Sequence, residues 1–513
     1  MPFFQKKNGT FKNDILSGIT VALALVPEAV AFSFVAGVEP QIGLFSAFIV
    51  GLIAATFGGR PGMISGATGA VAVVVAPLVA DYGLEYLFAA IILAGIIQII
   101  VGLLHWGKFI RLVPHPVMFG FVNGLAIIIF LSQFEAFKTE TGDGHHTWIS
   151  GTPLITVIGL IALTMAVIHF LPKLTKAIPS ALAAIILCTM AAAGLDRLGL
   201  HTPTVAEMAG GSLAGGIPPL HIPQIPFNFD TLKLLLSFAA PVAAVGLIES
   251  LMTLTLIDEI TETRGRGNRE CIGQGSANIL SGLFGGMGGC AMIGQSMINI
   301  SSGGRGRTSG ITGAVGLLLF VLFGSNLIGQ IPTAALVGVM FMVVIGTFEW
   351  TTFRILHKIP KSDTLVILAV SIITVFTNLA VAVAIGIIIS ALVFAWKKGK
   401  KIDSKSYVDE HNTKVYKLNG ALFFGSVHSF NELFTPEDDP QEVVIDFMRS
   451  RVYDHSALDA IHKLTEKYAS TGKSLHLLNL SKECRDLLGK AEGVVEVSVI
   501  EDLDWHLAVD ELA

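Results

Sequence analysis

Long apolar runs separated by short polar ones fill the first four-fifths of the chain. Segments long enough to be membrane spans or half-spans fall near 15–36, 42–57, 68–81, 86–105, 115–133, 152–171 and 178–194. A second set falls near 234–258, 271–286, 295–303, 311–328, 331–347, 363–379 and 380–397. The pattern predicts seven spans and seven more, within a membrane domain at 13–397 whose halves run about 13–195 and 232–397. A full span needs about 20 apolar residues, so the third and tenth segments are half-helices. Each is preceded by a glycine-rich stretch opening on Phe-Gly-Gly: Phe57 to Gly69 in the first half, Phe284 to Asn299 in the second. Both read as broken membrane helices that resume near Thr68 and near Gln295–Ser296.

Backbone that is not helical at membrane depth is tolerated only where it is buried in protein or lines a wet cavity. Where each helix resumes, free N–H groups and the positive end of the helix dipole favour an anion. A carboxylate precedes each break inside an apolar segment, Glu28 in LVPEAVAF and Glu249 in LIESLMTL. The second interval is longer, and its excess falls in the polar loop 261–269. Matching interrupted segments in two halves of a chain point to the binding site of a secondary transporter. Because seven is odd, the second half must be inverted relative to the first.

Composition agrees with this reading: 52% of the 513 residues are hydrophobic and 14% charged, against roughly 25% charged in soluble domains. A net charge of -5 gives no basic field for nucleic acid. Lys and Arg gather on one side if the N-terminus (1–12) is cytoplasmic, from Lys6 and Lys7 through Lys108, Arg111, Lys173, Lys176, Arg264 and Arg305 to the cluster at 397–401. The other side receives chiefly Lys138 and Arg197. The first apolar run carries Pro27 and Glu28 and no small-residue cleavage pattern, so it is read as a span rather than a signal peptide. Cys188, Cys271, Cys290 and Cys484 show neither CxxC spacing nor a disulfide framework. His145, His146, His201 and His221 belong to the polar loops 134–151 and 195–231, where solvated side chains are expected rather than metal ligands.

After Trp396 the composition turns abruptly polar, giving a linker at 398–411 and a small soluble domain at 412–513. Strand-like runs at Lys414–Leu418, Glu442–Phe447, Ser474–Leu480 and Val494–Ile500 alternate with helical runs at Ser456–Ala469 and Ser481–Leu488. This is an α/β layer. Gly472-Lys473-Ser474 invites a phosphate-loop reading, but Lys467 stands where that pattern needs its first glycine.

The runs GITVALALVPEAVAFSFVAGVEPQIGLFSA from Gly18, GGRPGMISGATGA from Gly58, LVPHPVMFGFVNG from Leu112 and LIESLMTLTLIDEITETRGRGNRECIGQGSANILSGLFGG from Leu247 closely resemble the SulP family. This is the sulfate permease group, which also contains bicarbonate, chloride and dicarboxylate carriers; the final domain is similar to its STAS domains. The resemblance covers nearly the whole chain. It implies an α-helical polytopic membrane protein of 14 transmembrane segments in a 7+7 inverted repeat, with a core of spans 1–4 and 8–11 and a gate of spans 5–7 and 12–14. It further implies a homodimer in the inner (cytoplasmic) membrane with both termini cytoplasmic, and an elevator-like movement of core against gate. Two departures stand out. Many members place an arginine where Gln295 stands, and soluble STAS proteins carry a phosphorylatable serine where His455 follows Asp454, with Ser456 next to it.

The expected function is coupled transport of a small anion (bicarbonate, sulfate or a dicarboxylate), with no enzymatic activity and no organic cofactor. An uncoupled channel and a STAS-linked sensor or scaffold with a cytoplasmic partner are the alternatives. Anion donors are expected at Ala67, Thr68, Gly69, Gly294, Gln295 and Ser296, with Ser65 and Thr68 equally suited to capping helices. A buried carboxylate at Glu28 costs several kcal/mol unless paired, hydrated or protonated, so proton and anion would bind together. Sodium is the other coupling ion. Family members in cyanobacteria that couple bicarbonate to sodium place a carboxylate and a threonine four residues apart on the eighth span. Glu249 and Thr253 reproduce that spacing as a candidate Na+ site, with backbone from Ala291, Met292 and Ile293 beside it. Asn123 is read as a polar contact between helices.

Overall fold

The structure, a computed structural model, describes residues 11–108, 114–141, 145–175, 179–208, 219–226, 228–355, 358–377, 379–399, 402–481, 484 and 498–500. Residues 1–10 of the expected cytoplasmic N-terminus, Arg111, Lys176, Lys400, Lys401, most of the helix expected at 481–488, the start of the strand expected at 494–500 and everything after Ile500 lie outside the described residues.

The first half supplies α1 (Phe11–Ala36), α2 (Pro40–Phe57), α3 (Gly69–Tyr82), α4 (Leu84–Leu103), α5 (His115–Ser132), α6 (Thr152–Leu174) and α7 (Ser180–Asp196). A short α8 (Val205–Met208) leads to α9 (Phe229–Thr261), α10 (Gly267–Leu283), α11 (Ile293–Ser301), α12 (Arg307–Gly329) and α13 (Thr333–Thr347). The five-residue α14 (Thr351–Ile355), α15 (Lys361–Phe376) and α16 (Leu379–Gly399) complete it. Every expected apolar segment holds one helix. Among the described residues, eight helices are long and apolar enough to cross a membrane, while α3 and α7 are shorter apolar helices.

Helix packing maps onto itself when the halves are exchanged. α1 packs on α12 as α9 packs on α4, α2 on α12 as α10 on α4, and α3 on α9 as α11 on α1. In the remaining layer, α5 on α15 answers α13 on α6. The first set comprises helices expected to form the core and the second helices expected to form the gate. Small residues make the closest approaches. A Cβ on Gly95 would meet the Gly275 carbonyl oxygen at 2.5 Å, and one on Gly275 would meet Gly95 at the same distance. In hydrocarbon, where no hydrophobic force drives helices together, such backbone proximity supplies the dispersion energy that holds them.

Between α2 and α3, and again between α10 and α11, the chain is extended. The two breaks meet as β1 (Ser65–Gly66) and β4 (Cys290–Ala291), an antiparallel pair with Ser65 opposite Ala291 and Gly66 opposite Cys290. Within the polar loop 134–151, β2 (Lys138–Thr141) and β3 (His145–Trp148) pair antiparallel.

The second compact unit begins in α16 and carries the sheet β5 (Asp403–Val408), β6 (Lys414–Leu422), β7 (Glu442–Val452), β8 (Ser474–Leu478) and β9 (Ser498–Ile500), hydrogen-bonded in that order. β5 is antiparallel to β6 and the other pairs are parallel. With α17 (Val427–Asn431) and α18 (His455–Ser470), the sheet encloses a core that includes Leu418, Ile445, Phe447, Ile461 and Tyr468. β5 lies inside the stretch expected to be linker (398–411), which corrects that boundary. It is an edge strand exposed along nearly its whole length, so it carries the polar residues that mark edges and no core pattern. Asp454 caps α18, its carboxylate accepting from Ala457 N at 2.9 Å and Phe424 N at 2.8 Å. Ser456 is exposed in the following turn.

Candidate functional site

An unsatisfied backbone group in hydrocarbon costs several kcal/mol, so the partners of the broken segments determine whether they can exist. Side chains on the surrounding helices supply them. Met287 N donates to Ser46 Oγ at 2.6 Å, Gly288 N to Ser281 Oγ at 3.2 Å, Gly289 N to Asn278 Oδ1 at 2.9 Å and Ala291 N to Ser250 Oγ at 3.1 Å. Asn278 is itself held, its amide donating to Gln98 Oε1 at 2.9 Å. In the other break, Ile64 N donates to Ser296 Oγ at 2.9 Å and Asn299 donates to the Gly62 carbonyl at 2.8 Å. Gly289 is obligatory, because a Cβ there would stand 1.9 Å from the Gly66 carbonyl oxygen.

With the breaks fixed, α3 and α11 start from opposite halves of the chain beside one cavity. The first intrahelical bonds run from Ala72 N to the Thr68 carbonyl and from Ser296 N to the Met292 carbonyl, so the N–H groups before them in each first turn have no partner in their own helix. α11 begins at Ile293, two residues earlier than the glycine pattern suggested, because Met292 N already pairs with the Ile64 carbonyl at 2.9 Å.

A cavity of about 500 Å³ opens beside these two ends. Thr68, Gly69, Gly294 and Gln295 line it, together with Glu28 and Glu249. A Cβ added at Gly294 would meet nothing within 4 Å. Farther along are Met118, Phe119, Thr347 and a third acid, Glu349. No Lys, Arg or His is among the described lining residues.

Each of the two expected acids takes a hydrogen bond from the second break: Gln295 Nε2 donates to Glu28 Oε2, and Cys290 Sγ donates to Glu249 Oε2 at 3.0 Å. Thr68 stands at the N-cap position of α3 but makes no capping bond; its hydroxyl lies 3.2 Å from Cys290 Sγ. Other expected site residues lie outside the cavity lining. Ala67 is buried behind it, and Ser296 is turned to Ile64. Thr253 is fully buried, its hydroxyl donating to the Glu249 carbonyl at 2.8 Å, a bond from a helix residue to the turn below. Of the backbone named for a cation, Met292 and Ile293 line the cavity and Ala291 does not.

Asn123 makes the polar contact expected of it, donating to Thr352 Oγ1 at 3.1 Å and accepting from Glu349 N at 2.8 Å, which anchors the third acid. Of the loop histidines, His201 sits between Asp196 and Glu207 at 3.0 and 3.1 Å, and His221 pairs with Glu85 at 2.8 Å. Among the described residues no group of three or more His, Cys, Asp or Glu side chains is arranged so that it could hold a metal ion.

Two interrupted helices meeting at an amide-rich hollow inside a multi-pass helical domain define a membrane carrier, and the comparisons with known proteins place it. The sulfate permease family model matches residues 11–370 and the STAS domain model residues 405–502. The chain therefore belongs to the sulfate permease family, whose members are membrane anion transporters rather than enzymes. YbaR of Bacillus subtilis is 41% identical over 94% of this chain and 97% of its own length. The bicarbonate transporter BicA of Picosynechococcus is 30% identical over 93% of this chain and 90% of its own. The solved transmembrane domain of a cyanobacterial BicA superposes with a TM-score of 0.63 at 31% identity, covering 74% of this chain and all of that one. SLC26A9, at 16% identity, shares the fold over 98% of this chain and 90% of its own with a TM-score of 0.80.

Proposed function

We propose that this protein is a secondary active carrier that moves a small anion through the cell membrane together with a cation. The observation that carries the proposal is the charge balance of the cavity. Two helix N-termini contribute about half a positive charge each, whereas Glu28, Glu249 and Glu349 bring three carboxylates and, among the described residues, no basic side chain lines the space. Like charges 4 Å apart repel by about 4 kcal/mol at an effective dielectric constant near 20. An anion therefore binds well only when an acid is protonated or paired with a bound cation. Protonation is favoured over sodium because Glu28 and Glu249 both face the cavity, while Thr253, the second half of the sodium pattern, does not.

The substrate class is bicarbonate, sulfate or a dicarboxylate; the relatives include both YbaR, a putative sulfate transporter, and the bicarbonate transporter BicA. Movement is of the elevator type, core against gate. In its support, named hydrogen bonds of the gate close within the gate, as between Asn123 and Thr352 or Ser371 and Gly120, and those around the breaks close within the core. With the Lys- and Arg-rich ends cytoplasmic, the cavity reaches from mid-membrane to the cytoplasmic ends of α5 and α13. A second space of about 310 Å³, bounded by Pro77, Ser237, Pro241 and Thr374, lies at the opposite ends. The carrier works as a homodimer with both termini cytoplasmic.

Uptake of labelled bicarbonate, sulfate and fumarate into proteoliposomes, each with an imposed H+ or Na+ gradient, tests this. Accumulation driven by the proton gradient and lost in Glu28→Gln supports it. Flux indifferent to either gradient and to Glu28→Gln means an uncoupled channel, and no flux of any anion means a sensor or scaffold acting through the STAS domain.

A further inference from the structure

We propose that Glu349 is a specificity-determining residue whose fixed carboxylate makes this carrier prefer monovalent to divalent anions. The proposal rests on the cavity beside α3 and α11 being the anion's binding site, and names the charge of the anion that site accepts. Glu349 follows α13 and lines the cavity with Val343, Gly346 and Thr347, on the wall that α5 and α13 make. Glu28, Glu249 and the two helix starts belong to α1, α9, α3 and α11, which make the rest. The turn that carries Glu349 is held from several sides. Its backbone N–H donates to Asn123 Oδ1 at 2.8 Å, the Asn123 amide donates to Thr352 Oγ1 at 3.1 Å, and Thr352 N closes the ring on the Glu349 carbonyl at 2.9 Å. Asn123 and Thr352 are both buried, and a buried polar network with its bonds made rigidifies what it holds. Beside it, Trp350 Nε1 donates to the Ile345 carbonyl at 2.8 Å and the Phe348 ring stacks on Phe353 with centroids 5.7 Å apart. The carboxylate itself accepts from Thr351 N at 3.3 Å. These partners carry no charge, so they fix the carboxylate without neutralising it.

An acid in an anion's cavity weakens binding, so its use must lie in what it rejects. The starts of α3 and α11 present about half a positive charge each, about one together, which balances a monoanion and leaves a dianion with one charge over. A carboxylate repels a dianion twice as strongly as a monoanion at the same place, because the Coulomb energy is proportional to the ligand's charge. Affinity is exponential in that energy, so the factor for a dianion is the square of the factor for a monoanion. A sphere with the cavity's volume is about 10 Å across, and over that distance one charge changes affinity by about two- to fifteenfold, for dielectric constants of about 80 and about 20. For a dianion the factor is about four- to two-hundredfold. Glu28 and Glu249 are also bonded to Gln295 and Cys290 of the second break, so they act on every anion through the shape of the site, whereas Glu349 acts on it through its field.

The test uses the full-length protein in proteoliposomes with equal pH and Na+ on both sides, so that coupling does not enter. Exchange of the labelled anion that the wild type carries is inhibited by unlabelled bicarbonate, sulfate and fumarate in turn, at a mildly alkaline pH where the first is a monoanion and the others are dianions. The wild type is expected to bind bicarbonate most tightly. Glu349→Gln, which keeps an oxygen for Thr351 N, should tighten bicarbonate by some factor within the range above, and sulfate and fumarate by about the square of that factor. Glu349→Asp should keep the wild-type order. An equal change for all three anions, or none, in a Glu349→Gln protein that unfolds at the wild-type temperature overturns the proposal, as does a wild type that prefers the dianions. Should Glu349→Gln fail to fold, the same equality in Glu349→Ala overturns it. Exchange that survives Gly294→Leu at the wild-type rate removes instead the placement of the anion in this cavity, and a wild type that exchanges none of the three removes the carrier reading itself.

Discussion

Gly289 and Gly294 stand five residues apart in one broken segment, yet their substitution should have opposite consequences. A Cβ at Gly289 would lie 1.9 Å from the Gly66 carbonyl oxygen, so the β1–β4 pair must part by more than an ångström. Overpacking of this kind costs about 1–3 kcal/mol, and each ladder hydrogen bond lost adds about 0.5–1.5 kcal/mol. Gly289→Ala should therefore unfold at a temperature several degrees lower and transport poorly because the breaks no longer meet. Gly294 lies in the first turn of α11, away from left-handed backbone, and its Cβ would enter open space. Gly294→Leu removes a flexible residue from a helix and gains up to about 0.8 kcal/mol. Its side chain also fills the part of the cavity where the anion is proposed to sit. The expected result is a protein at least as stable as wild type, by thermal unfolding in detergent, that takes up no labelled anion in proteoliposomes. Wild-type KM and rate in Gly294→Leu would refute the placement of the anion at α11, and undiminished stability in Gly289→Ala would refute the close approach of the breaks.

Gln295→Arg should supply the positive charge that a proton otherwise brings to Glu28, leaving anion exchange intact but no longer driven by a proton gradient; retained proton-driven accumulation would contradict the charge-balance argument. Asn123→Ala removes the acceptor of Glu349 N and the partner of Thr352, and should lower stability by about 1–3 kcal/mol in thermal unfolding. In the soluble unit, buried Asp439 accepts from Lys414 at 2.6 Å, Tyr416 at 2.8 Å and Tyr468 at 2.5 Å. Burial alone would raise its carboxyl, but these bonds hold it below the usual carboxylate range, while the pairing outweighs burial to keep Lys414 above its own. Asp439 therefore contributes stability present above its unfolded pKa of about 3.9 and lost as pH falls through the lower folded value. Asp439→Asn in the full chain should lose about 3 kcal/mol at neutral pH, with the gap to wild type closing in acid, read by circular dichroism.

What could be read from the residues alone was whatever the bilayer enforces locally. Apolar length marked every main helix, and Phe-Gly-Gly followed by polar small residues marked both breaks, because hydrocarbon tolerates such backbone only at a site. Glu28 and Glu249 were visible as charges inside apolar runs. Nothing marked Cys290 as the neighbour of Glu249 and Thr68, since these partners are 41 and 222 residues away and no local spacing encodes them. Glu349 reads as the polar flank of a span until Asn123 is seen holding its backbone. Thr253 and Ser296 satisfy plausible motifs, but their hydroxyls are drawn to neighbouring backbone, a competition that spacing does not reveal. Gln98 and Asn278 went unremarked for a related reason: their task is to satisfy a chain segment from the same or the other half.

The β1–β4 ladder has a consequence for biosynthesis. Gly66 leaves the ribosome long before Cys290, and at roughly 5–20 residues per second the first break must wait about ten to forty-five seconds for its partner. Throughout that interval its carbonyls and amides need water, the insertion machinery or an assisting protein. Mutations that weaken the ladder should therefore appear in cells first as slow maturation and degradation of half-inserted chains.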